Sequence, residues 1–223
     1  SGVSVNFPSI GSTFATNGAV RTFNIGSGGL FDFQGQAIST AAGTGFVKSG
    51  DGIFALGGAA YTGGFTLNAG TVVIRDSNAL GSGGVLTING GTIGASATRD
   101  MSSRYSNIVV GGDFTIGSST SPSVGTSNLT FSNTMALGTS SSRTITIGGT
   151  GTYTLGGVIS GSSSNLTVAA TAAGVIVLTG ANTYNGTTTV SGGTLRLSRT
   201  GGTTLPTGNS VVVNSGATLT IST

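Results

Sequence analysis

Any chemistry in this chain has to come from five aspartates, because the sequence contains no histidine, no cysteine and no glutamate. The acids are Asp32, Asp51, Asp76, Asp100 and Asp113. Without His or Cys the usual general bases and nucleophiles are missing. Carboxylates can still hydrolyse glycosides or hold calcium, but only when they are clustered. Three of them stand at nearly constant intervals (76 − 51 = 25; 100 − 76 = 24), and Lys48, Arg75 and Arg99 travel with them. The interval allows a carboxylate column for calcium or catalysis. It also allows a solvated ladder of alternating charge along one edge. Opposite charges beside each aspartate neutralise such a stack, which favours the ladder. The expectation is a chain with no catalytic residue, no metal ligand and no cofactor.

The elements that would position these residues are short strands. The chain has 223 residues with 42 glycines, 3 prolines and 6% charged residues, and its mean hydropathy is +0.32. Disordered chains are normally more charged and poorer in β-branched residues, and the glycines keep no third-residue period, which excludes collagen. Runs such as Ile53–Leu56, Thr71–Ile74, Val85–Ile88, Thr152–Leu155 and Thr194–Leu197 alternate apolar residues with Thr, Ser or Arg, the period of a half-buried strand. Pairs such as Gly90-Gly91, Asn185-Gly186 and Gly192-Gly193 separate them, as corners needing positive φ require. Nothing reads as a helix, because glycine recurs every few residues and the only lysine is Lys48. No apolar run approaches ~18 residues, so no membrane-spanning helix or membrane insertion is expected.

One passage occurs twice. Gly174–Ser198 repeats Gly52–Arg75 at an offset of 123 (184 − 61 = 123), with Tyr184 over Tyr61, Gly180 over Gly57 and Thr194 over Thr71. Iterated short strands with glycine corners indicate a solenoid, whose turns stack like residue on like residue. A sandwich would need longer strands and a larger aromatic core. At 20–25 residues per turn the chain makes nine or ten coils, a rod of roughly 45 Å at ~4.8 Å per coil. A single solenoid domain over residues 1–223 is expected, with repeat copies at about 37–88 and 155–221.

The segment from Leu178 to Leu197 resembles the autotransporter-associated β-strand repeat of bacterial surface and secreted proteins. The matching residues are Leu178, Gly180, Asn182, Tyr184 and Gly186, the Thr187–Val190 strand, then Gly192, Gly193, Thr194 and Leu195. The lead-in from Leu155 through Ile159-Ser160-Gly161 is similar to the family as well. The earlier copy matches through Ala37-Ile38-Ser39, Leu56-Gly57, Tyr61, Gly63-Gly64 and Ala69-Gly70-Thr71, but has Ala59 where the family has Asn. The resemblance implies an all-β, right-handed parallel β-helix exposed outside a Gram-negative-type cell. It implies no specific activity, since such folds carry adhesins, stalks and enzymes alike. The membrane-spanning barrel of complete autotransporters is not seen in the sequence. Either it was cut away or export follows another route.

Other features are expected to be structural. Eight basic groups, spread from Arg21 to Arg199, form no stripe of the kind nucleic acid needs. Threonine rows such as Thr187-Thr188-Thr189, Thr144/Thr146, Thr152/Thr154 and Thr218/Thr220 could face ice, but Arg75 and Arg196 interrupt the regularity, and Thr suits the wet face of any strand. Tyr61, Tyr153 and Tyr184 could hold a sugar ring; a packing ladder with hydroxyls at the surface is favoured. The Asn-x-Ser/Thr triplets at Asn128, Asn165 and Asn185 carry little functional weight.

The ends carry the sharpest functional expectation. Val3, Val5 and Phe7 at one end and Leu219 and Ile221 at the other continue the strand pattern without a charged cap. Solenoids normally cover such edges. The reading is a non-catalytic, extracellular structural subunit that stacks head to tail on its own copies through these residues. A trimmed fragment of a longer helix, or an adhesin passenger displaying a face to surface glycans, is the alternative.

Overall fold

The computed structural model describes residues 4–7, 19–33, 38–39, 43 and 45–222; Val3 and Ala37 lie outside this set. The chain begins with β1 (Ser4–Phe7), β2 (Arg21–Asn24), β3 (Leu30–Phe33), β4 (Ile38–Ser39), β5 (Phe46–Ser49), β6 (Ile53–Leu56), β7 (Ala59–Ala60) and β8 (Phe65–Leu67). It continues with β9 (Thr71–Ile74), β10 (Val85–Ile88), β11 (Thr92–Ala95), β12 (Arg99–Asp100), β13 (Asn107–Val110), β14 (Phe114–Ile116), β15 (Leu129–Phe131) and β16 (Met135–Ala136). The last strands are β17 (Ser142–Ile147), β18 (Thr152–Leu155), β19 (Ile159–Ser160), β20 (Asn165–Ala170), β21 (Val175–Leu178), β22 (Thr188–Val190), β23 (Thr194–Ser198), β24 (Val211–Val213) and β25 (Thr218–Ser222). No helix occurs among the described residues.

All pairings are parallel. Ten strands, from β1 to β24, form a first face; seven, from β2 to β19, form a second; a third is built from the β4–β7 pair and a six-stranded sheet from β12 to β25. The chain visits first, third and second face in turn, then climbs one rung. The result is a parallel β-solenoid of about eight turns, close to the nine or ten expected.

Alternation along each strand sends one residue set inward, and register stacks it. The first face buries the row Phe54, Val72, Ile93, Ile116 and Ile147. The second buries Phe46, Phe65, Leu86, Ile108, Met135 and Ile159. The third buries Leu129, Tyr153, Ile176 and Leu195. Each such side chain contributes about 1.5–3 kcal/mol on burial, and the rows merge into one core.

Coil length is less uniform than expected. Successive rungs of the first face are separated by 18 residues (72 − 54 = 18), by 21 (93 − 72 = 21) and by 31 (147 − 116 = 31). The longest holds an insertion between β14 and β15, residues 117–128. It folds back on the first face, where Val124 N and Ser123 Oγ donate to Ala95 O at 2.8 and 3.1 Å. Gly94 makes room for it, since a Cβ there would run into Ser123.

A second tie crosses the outside of the same face. Arg75, just past β9, reaches over β6 to Asp32 on β3 with two parallel bonds, Nε–Oδ1 at 2.7 Å and Nη2–Oδ2 at 2.6 Å. Asp32 shares its row with Ala55 and Val73, both fully buried although they alternate with core residues. The fork–fork geometry is the strong form of a charge-assisted bond. Arg75→Ala is expected to lower the unfolding free energy by about 2–4 kcal/mol, short of the largest buried-pair losses because Arg75 is 23% exposed. Urea titration checks this; a loss under about 0.5 kcal/mol, the scale of a neutral surface change, would show that the clamp contributes nothing.

Candidate functional site

The aspartates do not converge. Asp51 follows β5 on the second face, Asp76 follows β9 on the first, and Asp100 lies in β12 on the third. The expected column along one edge is therefore absent, because turns of 18 and 21 residues do not match a 25-residue interval. Asp76 and Asp100 each accept from the backbone two residues on, Asn78 N at 2.8 Å and Ser102 N at 2.9 Å. Asp113 Oδ1 accepts from Thr144 N at 2.8 Å on the next rung. Among the described residues no group of His, Cys, Asp or Glu could hold a metal ion.

Lys48 sits inside, at the corner after β5. Its Nζ donates to the carbonyls of Ser49, Gly50 and Ala69 at 2.7, 2.6 and 3.1 Å, joining one coil to the next. Gly70 has φ +72° and lies so close that a Cβ would stand 2.6 Å from this nitrogen. Burial pushes the Lys48 pKa down to about 8, with Asp51 pulling it partly back.

Tyr61, Tyr153 and Tyr184 are core residues, as the packing reading expected, with exposures of 1%, 0% and 0%. Their hydroxyls are inside, however, not at the surface, because each ring lies on the inward row of its coil. No sugar can stack on them. Tyr184 Oη donates to Thr188 Oγ1 at 2.7 Å, and Thr188 passes its own proton to Asn209 Oδ1 at 2.8 Å. The hydroxyls of Tyr61 and Tyr105 are buried with no hydrogen-bond partner among the described residues. Burial raises all four phenols above their ordinary value, Tyr184 to about 12.

Asn128, Asn165 and Asn185 are also ties between coils. Their Oδ1 atoms accept from Thr152 N, Thr187 N and Ser163 N at 2.7, 2.7 and 2.5 Å. Threonine rows do form outside the first face, Thr71–Thr92–Thr115–Thr146 and Thr144–Thr167–Thr189, each limited to a few rungs. On the third face Arg196 breaks the row between Val177 and Thr220.

What the rod leaves open is the face formed by β24 and β25. Val211 and Val213 continue the rows of Thr188 and Val190, yet are 41% and 45% exposed. Ile221 continues the row of Leu178 and Leu197 and is 72% exposed, and Leu219 is half-buried. Of the edge residues expected from sequence, Leu219 and Ile221 thus border this face. The valines of β24 were missed, although their alternation with the Val190 strand signals them. At the other end Val5 and Phe7 lie in β1, the first strand of the first face, and Val3 lies outside the described residues.

A family model described as passenger-associated-transport-repeat matches residues 46–74 and 173–197. The chain therefore carries two copies of the autotransporter passenger repeat, on the stretches where the sequence resemblance places them. No curated protein and no solved structure matches the chain. The family suggests a protein secreted or displayed at the cell surface.

The structure explains the motif. In the second copy Asn182, 5% exposed, accepts from Ile159 N at 2.8 Å, so its side chain stands in for a ladder bond where no strand follows β19. In the first copy Ala59 occupies that place, and β7 pairs with β4 through its backbone instead. The copies also sit on different faces. β6, β8 and β9 lie on the first, second and first faces, whereas β21, β22 and β23 lie on the third, first and third.

Two outcomes follow for stability. Asn182→Ala leaves the Ile159 amide buried without its acceptor and is expected to cost about 1–3 kcal/mol in chemical denaturation; an unchanged midpoint would mean that the motif asparagine is dispensable. For pH, Lys48 titrates at about 8 in the fold against 10.5 unfolded, so the unfolded chain holds more protons between those values and stability rises with pH there. The buried phenols titrate above their ordinary 10.0, so stability falls as pH climbs past 10. Unfolding midpoints from pH 7 to 12 should show this maximum, and Lys48→Met should remove the rising limb; a rising limb that persists in Lys48→Met would refute the assignment.

Proposed function

We propose that this chain is a non-catalytic structural solenoid of the autotransporter passenger type that works outside the cell and builds a fibre or surface layer by stacking head to tail on its own copies. The observation that supports this most is the β24–β25 face, where inward residues of two rows are bare. Covering each of them contributes on the order of 1 kcal/mol, about half of full burial, and the strand edge adds parallel backbone bonds. A contact between opposite ends of identical subunits does not close, so it propagates. The near absence of exposed chemistry agrees with a mechanical role, since aspartates, asparagines and the lysine tie coils together.

A second reading, an adhesin stalk, is favoured by one feature. The insertion at 117–128 is anchored by Ser118, Ser123 and Ser127, all buried, while Ser119, Thr120, Ser121 and Val124 are exposed. Insertions in solenoids frequently form the binding face.

Electron microscopy and sedimentation separate the two. Fibres with an axial repeat of roughly 40 Å, eight coils at ~4.8 Å, are expected. Val211→Asp with Val213→Asp should lower assembly at least tenfold while the monomer stays folded. Wild-type protein that remains a monomer across micromolar to millimolar concentration would sink the fibre and leave the stalk.

A further inference from the structure

The second face contains a ladder whose next position is empty. Phe46, Phe65, Leu86, Ile108, Met135 and Ile159 stack in register. Above β19 the column continues without strands. Thr183 N and Tyr184 N both donate to Ile159 O, at 2.8 and 3.3 Å, and Asn182 N donates to Thr204 O at 3.2 Å. Tyr184 and then Leu205 therefore take the next two rungs, the first fully buried and the second packed against the core from one side. Above Leu205 lies a cavity of about 280 Å³ between Leu197, Arg199, Thr203 and Ile221. Among the described residues no coil covers it.

Every lower rung holds one large apolar or aromatic side chain, so this cavity has the position and lining of a seat for one more. The columns themselves indicate what supplies it. The first face ends at β24 and begins at β1; the second begins at β2 and ends at this cavity. A second copy set on the β24–β25 face brings its β1 over β24 and its β2 over the cavity, continuing both columns in the order used inside each molecule. We propose that the Leu197–Leu205–Ile221 cavity is the acceptor seat for the first coil of a second copy, and that filling it selects the partner. This rests on the stacking reading above. The apolar walls favour a buried side chain, and Arg199, tied through Nη1 to Thr203 O at 2.8 Å, stands at the rim.

The absence of cysteine allows a clean probe. Thr203→Cys, carrying an environment-sensitive fluorophore at the exposed rim, should blue-shift as protein concentration rises. Ile221→Asp, at a site open in the monomer, and Ser222→Trp, which plugs the cavity, should each weaken that transition at least tenfold without changing monomer melting. Fibres that form with no change at the label, or that form equally well in both variants, overturn the seat and leave the fibre standing. A label shift in closed dimers that never elongate supports the seat and sinks the fibre. No shift and no association at millimolar concentration overturn both.

Discussion

Parallel in-register stacking is the constraint on which everything else in this molecule depends. Each coil is too small to bury its own apolar residues, so Phe54, Val72 and Ile93 are shielded only because the rungs above and below present a like residue at the same place. Nothing in the stack requires a fixed number of residues between rungs. Intervals of 18 and 31 residues coexist on one face, the longer absorbed by a loop that leaves the ladder at Ile116 and rejoins the rod on the third face. The core is one-dimensional, and its stability is close to a sum of neighbour terms.

That geometry also dictates where the polar groups go. Corners break the backbone ladder, and buried corners must find other partners for their amides and carbonyls. Lys48 supplies three bonds to such carbonyls, and Asn182, Asn128 and Asp113 each supply one to an amide. A chain with 6% charged residues has few to spare. With Asp32 in a bidentate pair and Asp76 and Asp100 holding turns, little remains to cluster for catalysis.

Much of this was legible in the sequence, and the failures have local causes. Alternation located eighteen of the strands because Val, Ile, Leu and Phe mark one side of each. It missed β5, where buried Lys48 reads as a surface residue, and β11, where Gly94 replaces an outward side chain to admit the 117–128 loop. It also missed the two-residue strands β4, β7, β12, β16 and β19, too short to show any period. The aspartate column failed because a sequence interval becomes a spatial column only when it equals the turn length, and the turn length varies. Tyr61 and Tyr184 were correctly read as packing residues, but their hydroxyls were misplaced. A position on the inward row outweighs the preference of a phenol for water.

The two repeat copies show what the motif encodes. Copy one begins on the first face and copy two on the third, so the motif does not specify a face. It specifies a relation between consecutive segments: a strand, a corner with one buried tyrosine, a second strand, a glycine turn and a third strand. A code of this kind has no internal stop. Each coil it produces offers the next one an edge, two bare rows and a space for one side chain, as β24, β25 and the cavity above Leu205 do. Ending such a rod therefore takes something the motif does not contain, either a cap that breaks the relation or another chain that satisfies it. The same rule that stacks coil on coil is what makes one molecule a template for another.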